Sequence, residues 1–333
     1  MTRAATAPLL VVRLSALGDV IHTMPAVVAL RTALGSGVSL GWLVEEPYGE
    51  LVELVAPVDR VLTVATRRWR RSPFSRATRD ELADLLAELR GFARGAAAVD
   101  FQGLLKSSLF TVLSGASQRI GFDRNAIREK AALLLLNRSV AIDRALHVVE
   151  WNMQLAASLG ADPNRVPWPD YGGFPADPTG VLGAMRFEEA IIVSPAAGRA
   201  SKTWGIERFT GAIRALRKRQ RVVVIWGGGE RELAAAIAER GGAELAPPTT
   251  LRELAFVLQR ARLLLAGDTG PLHLAAALRA PVVGLFGPTR PERNGPWGQL
   301  HHCVESGAPG RPMEAIAVES VVRKIEEVLG ERE

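Results

Sequence analysis

Two aspartates each follow a glycine where an apolar run gives way to helical spacing. Asp19 does so in "RLSALGDVIHTMPAVVALR" (Arg13 to Arg31), and Asp268 in "LLLAGDTGPLHLAAAL" (Leu263 to Leu278). A carboxylate there either caps the helix, which Asp does well, or faces a ligand at the edge where parallel α/β sheets bind. Around Asp268 the neighbours favour phosphate chemistry. Thr269, Gly270 and His273 open the helix, whose exposed N–H groups and positive end suit a phosphate or diphosphate. The segment "SPAAGRASKTWGIERF" also follows a strand-like run and brings Arg199, Ser201 and Lys202 to the same edge. Cations plus helix N-termini neutralise a diphosphate without a metal, and the chain has no Asp-x-Asp pair. No metal site is expected.

A third loop, "IWGGGERELAAAI", sets Gly227, Gly228 and Gly229 before Glu230, whose carboxylate can accept hydrogen bonds from ribose hydroxyls. Neither a G-x-G-x-x-G fingerprint after the first strand nor a G-x-x-x-x-G-K-[ST] loop is present, which argues against a dehydrogenase or a nucleotide triphosphatase. The basic excess gathers in "TRRWRRSPFSRATR", with Arg67, Arg68 and Arg70 beside Trp69 and Phe74, and continues at Lys106 and Arg128. Such a run is either a solvated face or a site for phosphates or carboxylates, which Arg reads bidentately.

These residues need a frame that presents strand ends. "LLVVRL", "VSLGWLV", "RVLTVA" and "AAAVDFQ" read as strands separated by helical spacing, and "AIIVSP", "RVVVIWG", "ARLLLAGD" and "APVVGLFG" repeat the alternation. The pattern predicts two parallel sheets with covering helices, facing each other across a cleft. The expected organisation is a first domain over 1–165, a linker over 166–180 rich in Pro, Gly and Asp, and a second domain over 181–318. A closing helix over 319–333 is expected to cross back to the first domain.

At 333 residues the chain exceeds one ordinary core. Its 48% hydrophobic and 23% charged residues are those of a soluble globular protein. Cys303 is the single cysteine, which excludes an intrachain disulfide and fits a reducing cytoplasm. No export signal or membrane-spanning run is evident. A net charge of +6 and a pI near 10.0 call for an anionic partner: nucleic acid, a lipid surface or a phosphorylated substrate. No nucleic-acid module is recognisable.

Taken together, "RLSALGDVIHTMPA", "RRWRRSPFS", "DFQGLLKSSL", "REKAALLLLNR", "SKTW" and "GDTGPLHLAAALRAPVVGLFGPT" resemble the lipopolysaccharide heptosyltransferases of glycosyltransferase family 9, the type I enzymes in particular. The resemblance implies a GT-B fold of two Rossmann-like domains, the first binding acceptor and the second the ADP-sugar. It implies inverting transfer of L-glycero-D-manno-heptose from ADP-heptose to a Kdo sugar of Kdo-lipid A, with Asp19 as general base. Lys202, Glu230, Asp268, Thr269, Gly270 and His273 are then the donor residues, and Arg67, Arg68, Arg70, Lys106 and Arg128 serve the acceptor. It further implies a monomer needing no cofactor, in the cytoplasm at the inner-membrane surface, with no nucleic-acid partner. Where type I enzymes carry paired threonines in the diphosphate loop, this chain has Ala197 and Gly198. Other readings are a related family 9 transferase with a different sugar nucleotide or a non-lipid acceptor, and a basic protein that binds nucleic acid or an anionic surface.

Overall fold

A computed structural model describes residues 6–171, 187–195 and 200–331. Most of the expected linker lies outside the described residues, as do Ala197, Gly198 and Arg199. The chain divides into two compact units, Met1–Asp170 and Tyr171–Glu333.

In the first unit the strands are β1 (Thr6–Val12), β2 (Val38–Glu45), β3 (Arg60–Val64), β4 (Ala97–Asp100), β5 (Gln118–Phe122) and β6 (Arg138–Val140). They form one parallel sheet in the order β3-β2-β1-β4-β5-β6. The second unit has β7 (Ala190–Ser194), β8 (Arg221–Val224), β9 (Glu244–Leu245), β10 (Leu263–Gly267), β11 (Val282–Phe286) and β12 (Cys303–Glu305). Its parallel sheet runs β12-β11-β10-β7-β8-β9, the same topology used again. Central strands are apolar throughout because helices cover both faces: Leu10, Val11 and Val12 are buried, as are Ile191, Ile192 and Val193.

This strand order has a consequence for binding. Between β1 and β4, and again between β7 and β10, successive connections leave in opposite directions. The carboxyl ends of those strand pairs therefore border an open crevice where doubly wound folds bind ligands.

Two local details refine the sequence reading, and one expectation, that of the closing helix, is corrected. The helix after β1 begins at Leu17, with Ala16 as its cap residue, so Asp19 stands in the first turn and not at the cap. Thr269 precedes the helix Gly270–Ala277 without capping it through its side chain; its hydroxyl donates to the Gly267 carbonyl instead. The closing helix Val318–Gly330 packs within the second unit. Its Val321, Ile325 and Val328 join Ile213, Leu265 and Leu285 in one buried cluster, because a stripe at that spacing finds its complement on the adjacent β11 and the helix Ile206–Leu216.

Candidate functional site

The first charged group lies at the carboxyl ends of β1, β2 and β4. Arg13 directly follows β1 and is buried. Its Nη2 pairs with Asp19 Oδ1 at 2.7 Å, and its Nη1 donates to the Phe101 carbonyl just beyond β4. The same Asp19 oxygen takes Arg128 Nη2 at 3.0 Å, whereas Oδ2 accepts the Ala16 amide, at 3.3 Å. One oxygen of Asp19 therefore closes the helix's first turn, and the other sits between two guanidinium groups. Burial alone would raise the Asp19 carboxyl, but the charges of Arg13 and Arg128, with their hydrogen bonds, outweigh it and hold the group below its ordinary value. It stays ionised at neutral pH, at a cost in basicity.

The strand ends beside it are held rigidly. Asp100, the last residue of β4, accepts the Gln102 and Gly103 amides at 2.8 and 3.1 Å and the Ser107 and Ser108 hydroxyls at 2.9 and 2.6 Å. Gly103 has φ +67°, a conformation open to glycine at little cost. The turn so built presents Gln102, whose Oε1 accepts the Leu14 amide at 2.7 Å and steadies the loop leading to Asp19. Glu45 ends β2, where it is buried, and accepts from Thr66 Oγ1 and, at 3.4 Å, from Lys106 Nζ.

Thr66 opens the short helix Thr66–Trp69, so this contact ties the arginine segment to the sheet edge. Arg67, Arg68 and Arg70 are exposed there. Arg68 Nη1 donates to both carboxylate oxygens of Glu81, at 2.6 and 2.8 Å, and Nη2 reaches Glu46 at 3.4 Å, while Trp69 Nε1 donates to Glu81 at 2.7 Å. Among the described residues, then, Lys106 and Arg128 join the carboxylates at the strand ends, and Arg68 is engaged with acids of its own surface.

The second charged group lies at the carboxyl ends of β7 and β10. Lys202 Nζ and Asp268 Oδ2 are 2.6 Å apart, and His273 Nε2 lies 3.1 Å from Asp268 Oδ1. A Cβ on Gly267 would lie 3.4 Å from the Lys202 carbonyl oxygen, at ordinary contact distance, so the two segments run side by side. Burial pushes the Asp268 carboxyl up, but His273 and Lys202 together drive it far below its ordinary value. The first turn of Gly270–Ala277 supplies N–H groups without intrahelical partners, and Pro271 at its start removes one donor that would otherwise be orphaned. On the neighbouring β8 edge, Gly229 has φ +83° and Glu230 Oε2 accepts the Gly227 amide at 3.2 Å, so this carboxylate braces the glycine turn.

Arg13, Glu45, Asp100 and Gln102 were not singled out from the sequence. Their signal was there: Glu45 and Asp100 are each the charged residue that ends an apolar strand, and Arg13 comes immediately after one.

The model of glycosyltransferase family 9 (heptosyltransferase) matches residues 92–316. The chain is 32% identical to lipopolysaccharide heptosyltransferase 1 of Escherichia coli, over 96% of this chain and 97% of that protein. Among solved structures, E. coli heptosyltransferase WaaC with ADP superposes with a TM-score of 0.80 at 30% identity, covering 96% of this chain and 99% of that one. WaaC with ADP-2-deoxy-2-fluoro heptose gives 0.78 at 31% identity, with the same coverage. The chain belongs to glycosyltransferase family 9, the heptosyltransferases, and is a glycosyltransferase with the GT-B fold.

Proposed function

We propose that the protein is a lipopolysaccharide heptosyltransferase of type I, moving heptose from ADP-heptose to a Kdo sugar of Kdo-lipid A with inversion. One observation carries the reading: each unit has a compact ionic cluster at the switch point of its own sheet, Asp19 between Arg13 and Arg128 in the first and Asp268 between Lys202 and His273 in the second. The WaaC complexes with ADP and an ADP-heptose analogue supply the substrate class.

In this reading the acceptor hydroxyl attacks the anomeric carbon while its proton passes to Asp19. The bond from that carbon to the diphosphate oxygen breaks, its electron pair leaves with ADP, and direct displacement inverts the centre. Lys202 and the N–H groups opening Gly270–Ala277 neutralise the diphosphate. Asp268 carries negative charge itself, so its part is to aim Lys202 and His273 at the ligand without contacting phosphate. Glu230 takes the ribose hydroxyls. Arg67, Arg68, Arg70 and Lys106 hold anionic groups of the acceptor. No cofactor enters, and the enzyme works as a monomer in the cytoplasm, at the inner-membrane surface.

Donor recognition is tested by thermal unfolding. At 100 times its dissociation constant a ligand adds about 2.7 kcal/mol of stability, so ADP and ADP-heptose raise Tm whereas UDP-sugars at the same concentration do not. Equal protection by both classes would contradict the donor assignment.

Arg128 gives the base its timing. It is half-exposed, with 47% of its side chain accessible against 5% for Arg13, so it is the partner of Asp19 free to leave. The Kdo carboxylate draws Arg128 away, and Asp19 regains basicity as the acceptor docks. Removing a cation that favours the carboxylate raises the pKa of that acid. In Arg128→Ala the acidic limb of the kcat/KM profile, which reports the free enzyme, therefore moves to higher pH, and the acceptor KM rises. A raised KM with an unmoved acidic limb would leave Arg128 a binding residue only.

A further inference from the structure

Among the described residues, six large apolar side chains are exposed, all in the first unit, and four of them lie on two elements that pack together. On the helix Leu105–Leu113, Leu105, Leu109 and Val112 are 46%, 45% and 38% accessible, and their i, i+4, i+7 spacing aligns them. The 3-10 segment Lys130–Leu135 packs against this helix and holds Leu134 outward, 87% accessible.

That exposure is built in. Ala132 is buried within the segment, Leu136 lies against Gly121 closely enough that a Cβ there would approach it to 2.6 Å, and Asn137 anchors the end. Asn137 exchanges hydrogen bonds with the Arg119 backbone, at 2.8 and 3.0 Å, and donates to the Ser117 carbonyl at 2.7 Å. A helix and a braced turn thus keep four aliphatic side chains in water, and a soluble protein rarely does so without a partner.

Charge identifies the partner. Lys106 lies on the helix, and the chain from 124 to 138 adds Arg124, Arg128, Lys130 and Arg138, with Glu129 as its single acid. Glu129 is occupied in accepting the Leu105 amide at 2.6 Å. A second copy of the same patch would bring like charges together, because a two-fold contact pairs a surface with itself. An anionic bilayer meets both requirements: its headgroups attract the cations and its acyl boundary takes the leucines.

We propose that Leu105, Leu109, Val112 and Leu134, together with these cations of the same two segments, form the surface that docks the first unit onto an anionic lipid bilayer. The inference deepens the proposed reading, since Lys106 and Arg128 connect this face to the acceptor edge and a lipid-linked acceptor would be presented there.

The test uses sedimentation of the full chain with vesicles of phosphatidylglycerol and phosphatidylcholine, and with phosphatidylcholine alone. Wild type is expected to bind the anionic vesicles preferentially. The variant Leu105→Gln, Leu109→Gln, Leu134→Gln loses at least about tenfold in vesicle affinity while retaining wild-type turnover on a water-soluble, delipidated Kdo acceptor. Leu134→Gln alone, at a side chain too exposed to support folding, loses part of that affinity with an unchanged Tm. Equal binding by wild type and both variants would overturn the proposal, as would absent wild-type binding. So would a wild-type dimer in solution that the triple variant dissolves, which would assign the face to a second copy. Vesicle binding needs no turnover: an inactive protein that still binds through these leucines would contradict the transferase reading alone.

Discussion

Asp19→Asn lowers turnover by roughly 100-fold or more, the scale expected when a general base is lost, and leaves ADP affinity unchanged. The replacement is isosteric, so the amide oxygen can still close the first turn at Ala16, where Asp19 now accepts at 3.3 Å. What disappears is the capacity to take a proton and the charge between Arg13 and Arg128. The residues proposed to bind ADP lie in the other unit, which makes ADP affinity an internal control for folding. Loss of the ion pairs also costs stability. Asp19 is held below its ordinary pKa in the folded chain, so its contribution is present above the ordinary carboxylate range and fades as pH falls toward its folded value. The Tm gap between Asn and Asp forms therefore narrows in acid. Near-normal turnover in Asp19→Asn would leave Asp19 as a residue of the helix's first turn and nothing more.

Lys202→Ala weakens ADP binding by about 10- to 100-fold, as the loss of a hydrogen bond to a charged group worth about 1.5–3 kcal/mol requires. Calorimetry with ADP measures it directly. The same change leaves Asp268, nearly buried, with His273 as its remaining ionic partner in the cluster. Burial then acts against less opposing charge, and the Asp268 carboxyl rises toward its ordinary value. Because that carboxyl is depressed in the wild type, the stability it contributes is present at neutral pH and lost on acidification. Lys202→Ala is thus less stable than wild type at pH 7, and the difference shrinks as pH falls. Unchanged ADP affinity with reduced stability would make Lys202 a structural partner of Asp268 only.

Much of this arrangement was legible in the residues. Central strands announced themselves as apolar runs, and the placing of Lys202 and Asp268 at strand ends anticipated their meeting, because β7 and β10 are neighbours. Four other strands were not legible: "QRIGF", "RSV", "EL" and "CVE" are too short and too mixed for a period of two to register. Arg13 was missed because an arginine inside the first apolar run looks like an interruption. Only the pairing of β1 with β4 reveals its role, by bringing the Phe101 carbonyl to it. The closing helix illustrates a further limit. Its apolar stripe shows that it packs, and the sheet it chooses depends on complementary surfaces far away in sequence.

The transferase reading is tested most directly by incubating the purified protein with ADP-heptose and Kdo-lipid A and weighing the lipid product by mass spectrometry. One heptosyl unit is gained, in step with ADP release, with wild type and not with Asp19→Asn. ADP release without a heavier lipid, or equal transfer by both proteins, would contradict it.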